Sequence, residues 1–194
     1  MGKIQQAFPV KLIVGILTSM PELLSETEKE LTALFGLVDA RSEMFPFDWT
    51  NYYDAEMGNP LYRRFLSFAE LIEAPAIVEA KIASNELEAA MSEKYPKVGR
   101  PINLDPGYLE QSKLVLASTK NFSHRILIAR GIYAEVTLCY QGGQWKSFPW
   151  TFPDYGSQNY HPFFTALREN YRRQLNAAGF AIRIPKEPNR KVST

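Results

Sequence analysis

The chain of 194 residues has one cysteine, Cys139, and two histidines. One cysteine cannot form an internal disulfide, and it rules out a zinc site built from several thiolates. Such sparing use of cysteine is typical of proteins in a reducing cytoplasm. Because Cys139 falls in a segment with a strand pattern, we expect it to serve packing.

Net charge and long apolar runs are also lacking. The sequence has 22 basic and 21 acidic residues, for a net charge of +1. Proteins that hold nucleic acid by bulk electrostatics are usually strongly basic, so we expect no DNA partner. The apolar run at residues 12–17 is too short for a signal peptide or a membrane span. These features predict a cytoplasmic protein that does not contact a membrane.

The short motifs of the common nucleotide, hydrolase and zinc sites are missing too. The chain has no phosphate-binding GxxxxGK followed by Ser or Thr, no GxGxxG after a strand, no GxSxG, no HExxH and no CxxC. Each of these patterns places particular groups around a phosphate, a nucleophile or a metal. Their absence excludes only the kinds of site that these motifs build.

The composition is that of an ordered protein, with 45% apolar and 13% aromatic residues. A chain of this length buries a sizeable core without disulfides or metal. We therefore expect one globular domain over residues 1–181 and a basic, mobile tail over residues 182–194.

Local periodicity predicts the order of the elements. Apolar and alternating runs predict strands at residues 10–17, 38–47, 61–72 and 100–104, and helical spacing predicts helices that follow residue 21 and Pro75, the second interrupted or capped at Ser84-Asn85. This order is the split β-α-β succession of a ferredoxin-like α+β fold. An antiparallel hairpin at residues 124–140 and a terminal helix striped by Phe164, Leu167, Tyr171 and Leu175 would extend it.

The stretch from residue 100 to residue 140 organises the functional hypothesis. Six basic residues face three acidic ones between residues 100 and 146. Asp105-Pro106-Gly107 is typical of a turn. The alternation on either side of Gly131 predicts a hairpin in which Arg125 meets Glu135.

These residues supply the candidate site. Clustered hydroxyl, ammonium, imidazole and guanidinium groups favour phosphate or carboxylate, which Arg can bind with two hydrogen bonds. The candidate catalytic residues are His124, Asp105 and Glu135. The candidate ligand-binding residues are Arg64, Lys81, Asn103, Lys120, Arg125, Thr137 and Tyr155. Plain structural alternatives stand beside them: a polar turn closed by Arg125 and Glu135, a structural His124, and a Lys81 whose stem covers apolar surface.

Two aromatic segments at residues 48–60 and 150–156 either face a ligand or cover an edge of the core. Oxygen ligands for Mg²⁺ could come from Asp105, Glu135, Asp154 and Glu56, although nothing in their spacing requires a metal. The cofactor is therefore left open, and no metal site is assigned.

Several long strings of the sequence resemble one known family. They are FDWTNYYDAEMG, RRFLSF, NLDPGYL, KLVLASTKNFSHRI, GIYAEVTL and WTFPDY. Over about residues 7–175 the chain is similar to the bacterial family of domain of unknown function 4416. The resemblance implies a small bacterial cytosolic protein and supplies no catalytic residue. Some members are labelled GTP-binding. The sequence does not support that label for this chain, since it has no P-loop and no guanine-reading motif.

Two functions fit these observations. The first is an enzyme or binding protein for a small phosphorylated or carboxylated molecule, for example a nucleotide. The alternative is an RNA- or protein-binding module without catalysis, in which Phe65, Phe68 or Tyr133 would stack on bases. A purely structural role as an oligomer subunit is a third reading.

Overall fold

A computed structural model describes residue 4 and residues 7–180 of the chain. The nine strands in this part are β1 (Val10–Thr18), β2 (Val38–Arg41), β3 (Phe45–Phe47), β4 (Leu61–Ile72), β5 (Asn103–Leu109), β6 (Lys113–Ser118), β7 (Ile126–Ala129), β8 (Ile132–Gln141) and β9 (Gln144–Ser147). The helices are α1 (Leu24–Phe35), α2 (Asp54–Met57), α3 (Ile77–Lys94), α4 (Pro153–Gly156) and α5 (His161–Ala177). The tail predicted for residues 182–194 lies outside the described residues, and the domain boundary at residue 181 stays a prediction.

The strands form one antiparallel sheet in the order β2-β4-β1-β5-β6-β8-β7, with β3 beside β4 and β9 beside β8. The α+β class with a large antiparallel sheet is thereby confirmed. None of the described helices is both long and apolar enough to cross a membrane.

The central strand β1 is buried on both faces. Leu12, Val14 and Ile16 share one core cluster with α1 and α3, whereas Ile13 belongs to a second cluster with α5. Successive side chains of a strand point to opposite faces, so a fully apolar strand needs cover on both sides. The helices supply that cover.

The local predictions for β1, α1, β4 and α5 are confirmed. Gly36 ends α1 at φ 87, as expected for a glycine that closes a helix. The stripe Phe164, Leu167, Tyr171 and Leu175 of α5 is buried. The predicted interruption at Ser84-Asn85 is wrong, because α3 runs unbroken and buries Ser84 against the core.

The predicted turn at Asp105-Pro106-Gly107 is also wrong, since all three residues lie within β5. Pro106 lies outside the part of β5 that pairs with β6, so its missing N–H removes no hydrogen bond from that ladder. At Gly107 the two strands come so close that a Cβ would overlap the carbonyl oxygen of Val115. Glycine here serves close approach of backbones.

The hairpin around Gly131 is confirmed, with Arg130 and Gly131 both at positive φ between β7 and β8. The outer strand is shorter than predicted and begins at Ile126, so His124 precedes it. Every residue of β7 is exposed, because it is an edge strand beyond the area that the helices cover. The alternation there did not separate a buried face from a solvent face.

Candidate functional site

A cavity of about 590 Å³ lies where β5 and β6 diverge. β5 pairs with β1 as far as Asn103, but with β6 only from Gly107 to Leu109. The parts of the two strands that do not pair with each other line the cavity, with Asn103 and Asp105 on β5 and Ala117 and Ser118 on β6. Loops 48–60 and 150–156 complete the walls. The volume is within the usual range for small-molecule sites.

Arg63 forms the charged floor of this cavity. It lies on β4, and its side chain is only 3% exposed. Its Nη1 donates to Asp105 Oδ2 at 2.6 Å, and its Nη2 donates to Asp154 Oδ2 at 3.3 Å. Burial opposes its charge, but the two carboxylates keep the pKa of Arg63 above its ordinary value. One buried cation therefore holds two carboxylates.

The pKa values of Asp105 and Asp154 are shifted in opposite directions. Burial alone would raise the pKa of Asp105, but the charges of Arg63 and Lys81 and hydrogen bonds from Arg63 and Asn103 lower it. Burial raises the pKa of Asp154, and Arg63 offsets this only in part. Two neighbouring carboxyls with separated pKa values are a feature of acid–base sites.

Tyr155 packs against this floor and is buried. Its hydroxyl has no hydrogen-bond partner among the described residues. A Cβ on Gly15 would lie 3.0 Å from this hydroxyl and 3.2 Å from Arg63 Nη1. Glycine at this position of β1 therefore makes room for both side chains.

Lys81 reaches the cavity from α3, which packs on the face of the sheet opposite α5. Its side chain is buried, and its Nζ donates to the carbonyl oxygen of Leu104 at 2.9 Å. It forms no ion pair with any described residue. Lys81 therefore points inward, and its role as an anion ligand stays a prediction.

Glu135 holds the rim of the cavity next to β7. Its Oε2 accepts from Arg125 Nε at 2.7 Å and lies 3.0 Å from His124 Nε2. Thr137 lies behind it, with Oγ1 3.4 Å from Oε1. Arg125 also donates from Nη1 to Ser118 Oγ at 3.0 Å. The predicted meeting of Arg125 and Glu135 across the hairpin is thus observed.

Lys120 and Arg100 supply the remaining cations. Lys120 Nζ donates to Tyr52 Oη at 3.1 Å and has no carboxylate partner in the described part of the chain. Arg100 pairs with Glu88 at 2.7 Å and also donates to Asn103.

Tyr53 also lines the cavity. Burial raises the pKa of Tyr53 to about 12, so its hydroxyl stays protonated at neutral pH.

Most of the predicted site residues converge on this cavity. The lining includes Lys81, Asn103, Asp105, Lys120, Arg125, Glu135 and Tyr155. His124 and Thr137 lie outside the lining and contact it through Glu135. Their roles in binding or catalysis stay predictions.

Arg64 is predicted to bind the ligand, but in the structure it lies away from the cavity. It does not line the cavity, because neighbours on a strand face opposite ways and Arg63 takes the cavity side. Arg63 is not among the site residues predicted from the sequence. Its signal was the alternation in RRFLSF, which places Arg63 on the same face as Phe65.

The four carboxylates considered for Mg²⁺ do not gather. Among the described residues, no group of three or more His, Cys, Asp or Glu side chains is close enough to hold a metal ion. Asp105 and Asp154 share Arg63, Glu135 pairs with Arg125, and Glu56 lies 3.8 Å from Arg100. Each of these carboxylates therefore faces an arginine and not a shared metal position.

The family model described as Domain of unknown function (DUF4416) matches residues 8–171. No curated protein and no solved structure matches the chain.

Proposed function

We propose that this chain, which belongs to the family described as Domain of unknown function (DUF4416), binds a small anionic ligand, phosphorylated or carboxylated. The family description assigns no activity, so the proposal rests on the cavity. The supporting observation is the charge of the lining. Five basic side chains, Arg63, Lys81, Arg100, Lys120 and Arg125, face three acidic ones, Asp105, Glu135 and Asp154.

Two of these five cations lack a carboxylate partner. Arg63, Arg100 and Arg125 are each neutralised by a carboxylate, whereas Lys81 and Lys120 form no ion pair with a described residue. Lys81 is buried, and an ammonium in a site of low dielectric attracts an anion more strongly than one in water. An anion in the cavity would give these two lysines a charged partner.

Ligand binding is tested by thermal denaturation and calorimetric titration against phosphates, phosphorylated metabolites and carboxylates. A ligand at a hundred times its dissociation constant adds about 2.7 kcal/mol to the free energy of unfolding. We expect Lys120→Ala to weaken binding by roughly tenfold, the loss of about one charged hydrogen bond. Lys97→Ala removes an exposed lysine outside the cavity and should leave affinity unchanged.

Lys81→Met tests the deeper lysine. It keeps the length of the stem and removes the ammonium, so a loss of affinity with little loss of stability would locate the anion at Lys81. The proposal would be overturned if saturating concentrations of these anions left the free energy of unfolding of the wild type unchanged. Equal affinities of the wild type and both lysine variants would overturn it too.

The alternative, an RNA- or protein-binding module, stays a prediction with weaker support. Phe65 and Phe68 lie fully buried in the core, so they are not available to stack on bases. Tyr133 is half-buried on β8. We therefore put the small anionic ligand first.

We also propose that the sheet contains a ferredoxin-like split β-α-β core. The supporting observations are the neighbour order β2-β4-β1-β5, with antiparallel pairs throughout, and the packing of α1 and α3 on one face. Strands β6 to β9 and helix α5 would then be additions to that core.

We further propose a bacterial cytoplasmic location, which is supported by the single cysteine and the family resemblance.

A further inference from the structure

Three large aromatic side chains are exposed at the mouth of the cavity. Trp49 is 41%, Tyr52 is 62% and Phe152 is 42% exposed, and all three line the same cavity. They come from the two aromatic loops. A cluster of exposed aromatic side chains is more informative than a single one, because such patches mark binding sites.

Two of these rings lie next to the cations of the β6–β7 segment. Lys120 Nζ is 5.2 Å from the ring centroid of Tyr52, and Arg125 Cζ is 6.0 Å from that of Phe152. Arg125 Nη1 also donates to the Lys120 carbonyl oxygen at 3.0 Å, which joins the two pairs. An anion bound at Lys120 would therefore lie beside aromatic surface.

Trp49 offers a surface for stacking. It makes no ring contact with another aromatic side chain of the described residues, whereas Tyr52 packs edge-on against Tyr53 at 5.0 Å. A planar group next to an anion would meet the indole and the Phe152 ring at the mouth. Stacking of flat rings on aromatic side chains is tolerant of ring identity and adds affinity without hydrogen-bond readout.

We infer that the ligand is an organic anion that carries a planar ring, with the ring held at the mouth among Trp49, Tyr52 and Phe152 and the anionic group held by Lys120. This inference rests on the proposed function and names the ligand class of the same cavity.

Matched ligand pairs test it by calorimetric titration of the full chain. Phenyl phosphate against methyl phosphate, AMP against ribose 5-phosphate, and benzoate against acetate each differ by a planar ring. We expect the ring-bearing member of at least one pair to bind about tenfold tighter. The pairs also distinguish a phosphate from a carboxylate and a large heterocycle from a single ring.

Variants locate the ring. Trp49→Leu and Phe152→Leu should reduce the preference for the ring-bearing member severalfold, while the affinity for inorganic phosphate stays unchanged. Phe122→Leu is the matched control, since Phe122 is 65% exposed but does not line the cavity. Binding of a ring should also quench the fluorescence of Trp49, and the quenching should be lost in Trp49→Leu.

The outcomes separate the two proposals. Binding of ring-bearing and ring-free anions with equal affinity would overturn the inference and leave the anion site standing. A ring preference that survives both leucine variants would overturn the assignment to the mouth. The absence of binding by any anion would overturn both proposals.

Discussion

Arg63 donates to Asp105 across the central strand of the sheet. The two residues lie on β4 and β5, which flank β1 on opposite sides, and their Nη1–Oδ2 distance is 2.6 Å. The side chain of Arg63 crosses β1 at Gly15, where a Cβ would lie 3.2 Å from Nη1. The ion pair on the cavity floor therefore depends on glycine in the strand between its partners.

The first prediction concerns the stability that this buried network contributes. Arg63→Met leaves Asp105 and Asp154 without their cation, and breaking a buried ion pair costs about 3–5 kcal/mol. Arg130→Met is the matched control, because Arg130 pairs with Glu79 in solvent and such pairs contribute less than about 1 kcal/mol. Urea denaturation near neutral pH measures both. Equal losses would contradict a buried network.

The second prediction is a pair of opposite pH dependences. The folded-state pKa of Asp105 is lowered below 3.8, so its charge stabilises the fold above that pH, and this contribution is lost as the pH falls through the folded pKa. The folded-state pKa of Asp154 is raised above 3.8, so its contribution is present at low pH and is lost as the pH rises through the folded pKa.

Asparagine variants measure these two signs. Relative to the wild type, Asp105→Asn should lose more stability at pH 7 than near pH 3, whereas Asp154→Asn should become relatively more stable as the pH rises over the same interval. The measurement is the free energy of unfolding in urea as a function of pH. The same sign for both variants would show that the burial of Asp154 does not outweigh its attraction to Arg63.

The third prediction compares two strand glycines. Gly107→Ala forces a Cβ into the backbone of β6, which cannot move without breaking the ladder. At Gly15 the nearest atoms belong to side chains, so Gly15→Ala should cost about 1–3 kcal/mol, as overpacking usually does. Gly107→Ala should cost more or abolish folding. Thermal denaturation gives the order, and a milder effect at Gly107 would contradict the close approach of β5 and β6.

The fourth prediction concerns the edge hairpin. Arg125 connects Glu135 on β8 to Ser118 at the end of β6, so it holds the start of β7 against the sheet. Arg125→Ala should speed amide exchange in β7 by roughly tenfold, the effect of losing about one charged hydrogen bond. Lys146→Ala, at an exposed position on β9, is the control. Unchanged exchange in β7 would show that backbone pairing with β8 alone holds the strand.

Elements with a strong local pattern could be predicted from the sequence. The apolar run of β1, the glycine stop of α1 and the stripe of α5 each depend on neighbours within a few residues. Pro106 and Gly107 predict a turn but lie in a strand. Pro106 lies where β5 does not pair with β6, and Gly107 lies where the two backbones come close, so residues that favour turns fit here too. The sequence predicts Arg64 and not Arg63 at the site, since the choice depends on which face of β4 bounds the cavity.

Local sequence patterns are enough to predict which segments bury apolar faces and that Arg125 can meet Glu135, because hairpin partners lie only 10 residues apart. The divergence of β5 and β6, and the reach of Arg63 to Asp105 and Asp154, 42 and 91 residues away, depend on long-range packing. Side-chain periodicity records the face on which a residue lies, but it does not record which distant strand pairs beside it or where that pairing stops. The cavity is a consequence of that distant pairing.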